Sequence, residues 1–230
     1  MDRYINAEKS NGAICYIFGA ADHITNSIKP LNKHFTPRKG IDMLIAADAG
    51  YKHAEALGLK ADVVIGDFDS LGTAPENTKL VKFPPEKDDT DLMLAVKYAY
   101  GRGIKDFVIY GALGGRIDFT IANFQILTNM AKRGISAYFI GCGSVMTAVT
   151  NGRLTFGEDF TGRISVLCMG DTAKGVTING LKYTLKDGKL TCDVPLGVSN
   201  AFTGRGGFIE VTDGTLAVLY DDINGKMIKG

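Results

Sequence analysis

Two patterns of hydrophobicity divide this chain near residue 150, and each permits few folds. Before that point, short apolar runs alternate with amphipathic ones. AICYIF (13–18), MLIAA (43–47), VVI (63–65), LVKF (80–83), FVIYG (107–111) and SAYFIG (136–141) read as strands. YKHAEALG (51–58) reads as a short helix stopped by Gly58. From Asp91 onward, Leu92, Ala95, Val96 and Ala99 recur at the spacing of one helical face, and Gly101 and Gly103 end the run. Phe119, Ala122, Ile126 and Met130 mark the apolar face of another helix, closed by Gly134. Strands alternating with helices imply βαβ units around a mostly parallel sheet covered on both faces.

After residue 150 the helical period disappears. RLTF, RISVLCM, GVTI, LKYTL, KLTCDV, FIEV and TLAVLY are short strand-like runs, and Asp187-Gly188 and Asp213-Gly214 carry the composition of hairpin turns. The expected fold class is therefore an N-terminal α/β/α domain with a mostly parallel sheet (13–150), followed by a smaller all-β sandwich, jelly-roll-like domain (151–230). The first twelve residues, MDRYINAEKSNG, lack the apolar stretch of a signal peptide and read as a loose tail.

In a parallel sheet the carboxyl ends of the strands share one edge, where ligands bind. Four polar segments of the first domain fall at such ends. Asp48 and Gly50 follow MLIAA, and Gly66, Asp67, Asp69 and Ser70 follow VVI. Lys87-Asp88-Asp89-Thr90-Asp91 precedes a helix, and Gly114, Gly115, Arg116 and Asp118 follow FVIYG. Asp67 and Asp69 are two apart and face the same way in an extended segment. Each segment also has an ordinary structural reading: Asp and Ser cap turns, Asp88, Asp89 or Thr90 caps the helix, and Asp91 suits its first turn. Their convergence on one crevice favours chemistry. Carboxylates suit a hard cation such as Mg2+. Paired glycines beside a forked arginine at a helix start suit an anion. Together they point to an Mg2+-bound polyphosphate.

Several classes are disfavoured. There is no G-x-x-x-x-G-K-[ST] and no G-x-S-x-G, and Gly19 is followed by Ala20-Ala21-Asp22 rather than a dinucleotide-binding fingerprint. With 26 basic and 25 acidic residues the chain offers no basic footprint for nucleic acid or membrane surfaces, and no apolar run reaches membrane-spanning length. Cys15, Cys142, Cys168 and Cys192 form no paired ligand spacing. Cys15 and Cys168, inside apolar runs, are expected to be buried reduced thiols, which places the protein in the cytoplasm.

The succession Asp48-Ala49-Gly50, GDFDS (66–70), KDDTD (87–91) and GALGGRID (111–118) resembles the thiamine pyrophosphokinase family. The resemblance continues through GVTINGLKYTL (175–185) and GVSN (197–200) and so covers nearly the whole chain. It implies Mg2+-dependent transfer of pyrophosphate from ATP to the hydroxyethyl oxygen of thiamine, releasing AMP. It also implies a homodimer with active sites at the subunit interface. On this reading Asp67, Asp69 and Asp91 hold the metal. Arg116, Gly114, Gly115, Asp88, Thr90 and Ser70 bind the nucleotide, Arg116 through its phosphates, and Asp48 lines the pocket. Asp118, with Asp91 second, orients or deprotonates the attacking hydroxyl. Ser199, Asn200 and Tyr183 lie on the thiamine side.

The sequence departs from the family pattern in three places. Ala49 replaces a glycine, Phe119 replaces a histidine after Asp118, and Tyr183 replaces a tryptophan while keeping a flat stacking surface. Other classes left open are a related pyrophosphokinase or metal-dependent phosphohydrolase acting on another heterocycle, and a non-catalytic thiamine- or nucleotide-binding sensor.

Overall fold

The structure, a computed structural model, describes residues 12–19, 37–66, 78–83 and 89–221. Asp67, Asp69, Ser70 and Asp88 lie outside the described residues, as do residues 1–11 of the expected tail. The described residues form two compact units: one takes those up to 123 together with 138–142, the other 124–137 together with 143–221.

The first unit is built on a parallel sheet. Its strands are β1 (Ile14–Phe18), β2 (Met43–Ala47), β3 (Val63–Gly66), β4 (Lys79–Lys82), β5 (Asp106–Tyr110) and β6 (Ser136–Gly141), in the order β4-β3-β2-β1-β5-β6. The β1–β2, β2–β3, β3–β4 and β1–β5 pairings are all parallel. Register explains the apolar runs: Ile109, Ile17, Ile45 and Val63 lie side by side across four strands, and all are buried. Strands covered on both faces have no polar side to alternate with. At the outer edge β4 is the exception, with Lys79, Leu80 and Lys82 exposed. Strand order runs outward from β1 to β4 and then returns to β5 on the other side of β1. The carboxyl ends of β1 and β5 therefore flank a topological switch point, where open α/β sheets form a crevice.

The helices are α1 (Gly50–Ala56), α2 (Asp91–Tyr100) and α3 (Ile117–Lys132). Gly58, at φ +69, follows α1 in the left-handed conformation glycine adopts freely. The Thr90 hydroxyl caps α2 by accepting from the Met93 N–H at 3.2 Å. Ala95, Val96 and Ala99 form its buried face, as their spacing predicted. The spacing also put Phe119 on the core face of α3. Ile126 and Met130 are buried there, but Phe119 is 45% exposed because it packs on an arginine instead.

The second unit is antiparallel and organised by β12 (Gly207–Asp221), which pairs with β7 (Ser144–Phe156) over nearly its whole length. On its other side, the first half of β12 pairs with β9 (Thr172–Asn179) and the second half with β8 (Arg163–Cys168). β10 (Leu185–Thr191) extends β9, and the short β11 (Asn200–Ala201) pairs with β8. FIEV and TLAVLY are thus one strand, and Asp213-Gly214 is a bulge within it rather than a hairpin turn. Gly214, at φ +121, donates its N–H to Asn151 Oδ1 at 2.9 Å. Asp187-Gly188 likewise falls inside β10, where the register shifts. Bulges and tight hairpins require the same positive φ, so the dipeptide signal alone does not separate them. Phe156, Phe160, Phe202 and Tyr220 pack ring against ring inside this unit.

Candidate active site

The switch point holds a cavity of about 310 Å³. Gly19 leaves β1, Ala47 and Asp48 close β2, and Tyr110, Gly111 and Ala112 leave β5. Thr90, Asp91 and Leu92 open α2, Gly114, Gly115 and Arg116 precede α3, and Phe119 and Asn123 stand on that helix. Six sequence-predicted residues therefore line one cavity: Asp48, Thr90, Asp91, Gly114, Gly115 and Arg116.

Backbone bonds fix this edge. Gly19 N–H donates to Tyr110 C=O at 2.8 Å and Gly111 N–H to Ile140 C=O at 3.1 Å, tying the strand ends together. Asp48 sits at φ 47, a left-handed conformation that Asp tolerates, and its N–H donates to Ile65 C=O at 2.7 Å. That turn sends the chain straight into α1, where a β-carbon at Gly50 would collide with the Phe18 carbonyl. Gly66, the last described residue before Asp67, packs on Asp48, its would-be β-carbon 3.3 Å from Asp48 Cα. Asn123, buried, donates from Nδ2 to Ala112 C=O at 2.7 Å and pins α3 to the cavity wall.

The anion side is exposed. Gly114 and Gly115 both have positive φ, and Gly114 N–H donates to Thr120 Oγ1 at 3.2 Å. Arg116 donates from Nε to Asp118 Oδ1 at 3.2 Å and from Nη2 to Asp118 Oδ2 at 2.6 Å, while its Cζ lies 4.4 Å from the centre of the Phe119 ring. The hydrogen bonds from Arg116 hold the Asp118 carboxyl below the usual carboxylate range, which makes it a weaker proton acceptor. Asp118 thus stands with Arg116 rather than among the cavity-lining residues.

In the second unit, Asn200 is buried. Its Oδ1 accepts from the N–H groups of Tyr183 and Ala201, both at 2.9 Å, and its Nδ2 donates to Tyr183 C=O at 2.7 Å. The amide is committed to the backbone and presents the Tyr183 ring, 60% exposed, to solvent. Ser199 sits at φ 62, with its N–H on Ser165 Oγ at 3.1 Å. Sequence reasoning singled out these three and marked Phe119 only as a departure from the family pattern; it did not single out the cavity residues Leu92 and Asn123. Nothing in a single sequence marks an apolar or amide side chain as lining a crevice.

Among the described residues no cluster of three or more metal-ligating side chains forms. The carboxylates lining the cavity are Asp48 and Asp91. All-oxygen donors suit Mg2+, which is held by one or two carboxylates plus substrate phosphates, so the residues present fit that ion. All four cysteines are free; burial pushes the Cys15 thiol up, while Cys168 is only half-buried. No helix among the described residues is long and apolar enough to cross a membrane.

Two family models match the chain: the thiamin pyrophosphokinase catalytic domain over residues 38–139, and the thiamin pyrophosphokinase vitamin B1 binding domain over residues 153–216. The chain belongs to the thiamin pyrophosphokinase family. A thiamine pyrophosphokinase of Bacillus subtilis (strain 168) is 28% identical over 183 residues, 76% of this chain and 85% of the relative. Among solved structures, thiamine pyrophosphokinase from Bacillus subtilis superposes with a TM-score of 0.79 at 23% identity, covering 90% of this chain and 98% of that one. The enzyme from Geobacillus thermodenitrificans gives 0.76 at 22%, covering 93% and 100%. These likenesses show the shared fold, a mostly parallel sheet with a second, β-rich domain. As a family member the chain is an enzyme of the thiamine diphosphokinase class, a transferase.

Proposed function

We propose that this thiamin pyrophosphokinase family member transfers pyrophosphate from ATP to thiamine. The supporting observation is a single cavity at the sheet's switch point with carboxylates, Asp48 and Asp91, on strand and helix ends and the Gly114-Gly115-Arg116 donors also in its wall. In the reaction, the hydroxyethyl oxygen of thiamine forms a bond to the β-phosphorus of ATP. The bond from that phosphorus to the α,β-bridging oxygen breaks, and AMP leaves with the oxygen. The hydroxyl proton passes to a carboxylate. By the family resemblance Asp118, with Asp91 second, orients that hydroxyl or takes its proton. Asp91, with Asp67 and Asp69 by the family resemblance, would hold Mg2+, which supplies charge neutralisation on the phosphate oxygens. Gly114, Gly115 and Arg116 bind phosphate, and Thr90, Asp88 and Ser70 complete the nucleotide site. Positioning and electrostatics account for most of such a rate enhancement.

The domain roles follow: residues 13–150 serve Mg-ATP, and 151–230 serve thiamine and dimerisation. Tyr183, Val194, Leu196 and Val198 are exposed apolar side chains on the β-rich unit, a surface of the kind that pairs with a second copy. We place a homodimer in the cytoplasm, with Ser199, Asn200 and Tyr183 on the thiamine side of a site at the subunit interface. A monomer-sized species in analytical ultracentrifugation at working concentration would remove the dimer.

Incubation with Mg-ATP, with and without thiamine, tests the activity. AMP and thiamine diphosphate are expected only when both substrates are present. Phosphate release without thiamine would make the protein a phosphohydrolase, and absence of turnover would make it a binding sensor.

A further inference from the structure

Phe119 has no place in the scheme above, yet it lines the cavity and is nearly half exposed in the first turn of α3. Its contact is the guanidinium of Arg116, stacked 4.4 Å from the ring centre. The edge of the same guanidinium that carries Nε and Nη2 is taken by the two oxygens of Asp118. A guanidinium has five N–H donors. Asp118 uses two, one on Nε and one on Nη2, and the ring lies against the guanidinium, leaving three N–H groups as a donor edge with no partner among the described residues. An exposed ion pair alone orders two side chains weakly. A ring against the guanidinium face adds an attraction that favours flat contact.

We propose that Phe119 is a positioning residue: its ring, together with the Asp118 carboxylate, holds the Arg116 guanidinium flat in the cavity wall so that an incoming phosphate meets a preset donor edge. This rests on reading the cavity as a polyphosphate site. Phe119 itself touches no reacting atom. It acts by removing the rotational freedom Arg116 would otherwise lose on binding, which appears in nucleotide affinity before it appears in chemistry.

Four variants measured in the full chain decide the matter: Phe119→Leu, Phe119→Tyr, Arg116→Lys and the double variant Arg116→Lys/Phe119→Leu. Phe119→Leu removes the ring and is expected to raise KM for ATP by about two- to fivefold, leaving KM for thiamine near its wild-type value. Phe119→Tyr keeps the ring and should retain most of the ATP affinity. In the double variant the two losses should fall well short of multiplying, because both report one contact. Calorimetry with inorganic tripolyphosphate repeats the comparison without turnover, so the outcome does not depend on the enzyme's activity. A wild-type protein that releases no AMP would overturn the functional reading, while the tripolyphosphate series would still decide the clamp. Unchanged polyphosphate affinity in a folded Phe119→Leu protein, equal loss in Phe119→Tyr, or full multiplication in the double variant would each overturn the proposal.

Discussion

Two Arg–Asp pairs mark opposite edges of the parallel sheet, and they do opposite work. At the edge where strands begin, Arg38 meets Asp42, whose side chain is fully buried. Asp42 accepts from Arg38 Nε at 3.0 Å, Arg38 Nη2 at 2.8 Å and the backbone N–H groups of Arg38 and Ile14. At the edge where strands end, the Arg116 and Asp118 side chains are 72% and 64% exposed, joined by two hydrogen bonds, with the guanidinium over the Phe119 ring. The first pair spends all its acceptors closing the start of β1 onto β2. The second leaves donors open. The same two residue types thus serve a lock at one edge and a receptor at the other, and burial decides which.

The largest effect expected from this contrast is on stability. Replacing Asp42 with alanine removes the acceptor of two backbone donors and of Arg38 Nε, while Arg38 Nη2 keeps its bond to Gly12 C=O; it should cost about 3 kcal/mol, read by denaturant unfolding, with turnover of the folded protein unchanged. The pH dependence has a definite sign. Burial pushes the Asp42 carboxyl up, but the hydrogen bonds from Arg38 and the backbone outweigh it, so its pKa lies below the usual value. Its contribution is therefore complete above the unfolded value of about 3.9 and is lost as pH falls through the folded value. Wild-type stability should fall across that acid window, and Asp42→Ala should lack that component. Equal stability of the two proteins at neutral pH would break the contrast.

At the other edge, Asp91→Asn keeps shape and removes a charge from the cavity. Turnover should fall by at least about a hundredfold, while the melting temperature stays close to wild type. Near-normal turnover in this folded variant would take Asp91 out of the site. Thr90→Ala sharpens the comparison from between these extremes, because Thr90 both caps α2 and lines the cavity. It should lower stability by about 1 kcal/mol and slow turnover only a few-fold, with Thr90→Ser recovering most of both. A loss confined to activity would mean that the cap bond is dispensable to the fold.

The strand edge was readable because it is written in residues that do little else. MLIAA is β2 residue for residue, and the Asp91 helix shows its face, its cap and its stop in linear order. Of the acids and glycines at strand and helix ends, Asp48, Asp91, Gly114 and Gly115 line one cavity, as parallel topology favours. Pairings made through space were not readable. The sequence contains no sign that Arg38 closes on Asp42, or that Asn200 spends its amide on Tyr183 seventeen residues away. Phe119 was misassigned because helical spacing records which side of a helix a residue is on, not whether that side meets the core or a guanidinium. The two Asp-Gly dipeptides failed for a related reason: positive φ serves a bulge as well as a turn, and only the partner strand decides.

The exposed margin formed by β4 bears on how these molecules behave in a crowded solution. A sheet edge is a template on which another chain can polymerise by hydrogen bonding alone. β4 is four residues long, and two of the four are solvent-facing lysines, Lys79 and Lys82. A second copy laying its own β4 alongside would bring four ammonium groups together with no carboxylate from that strand between them. Among the described residues β4 is the outermost strand of this sheet, and its lysines set charge against strand-to-strand growth of the concentrated protein.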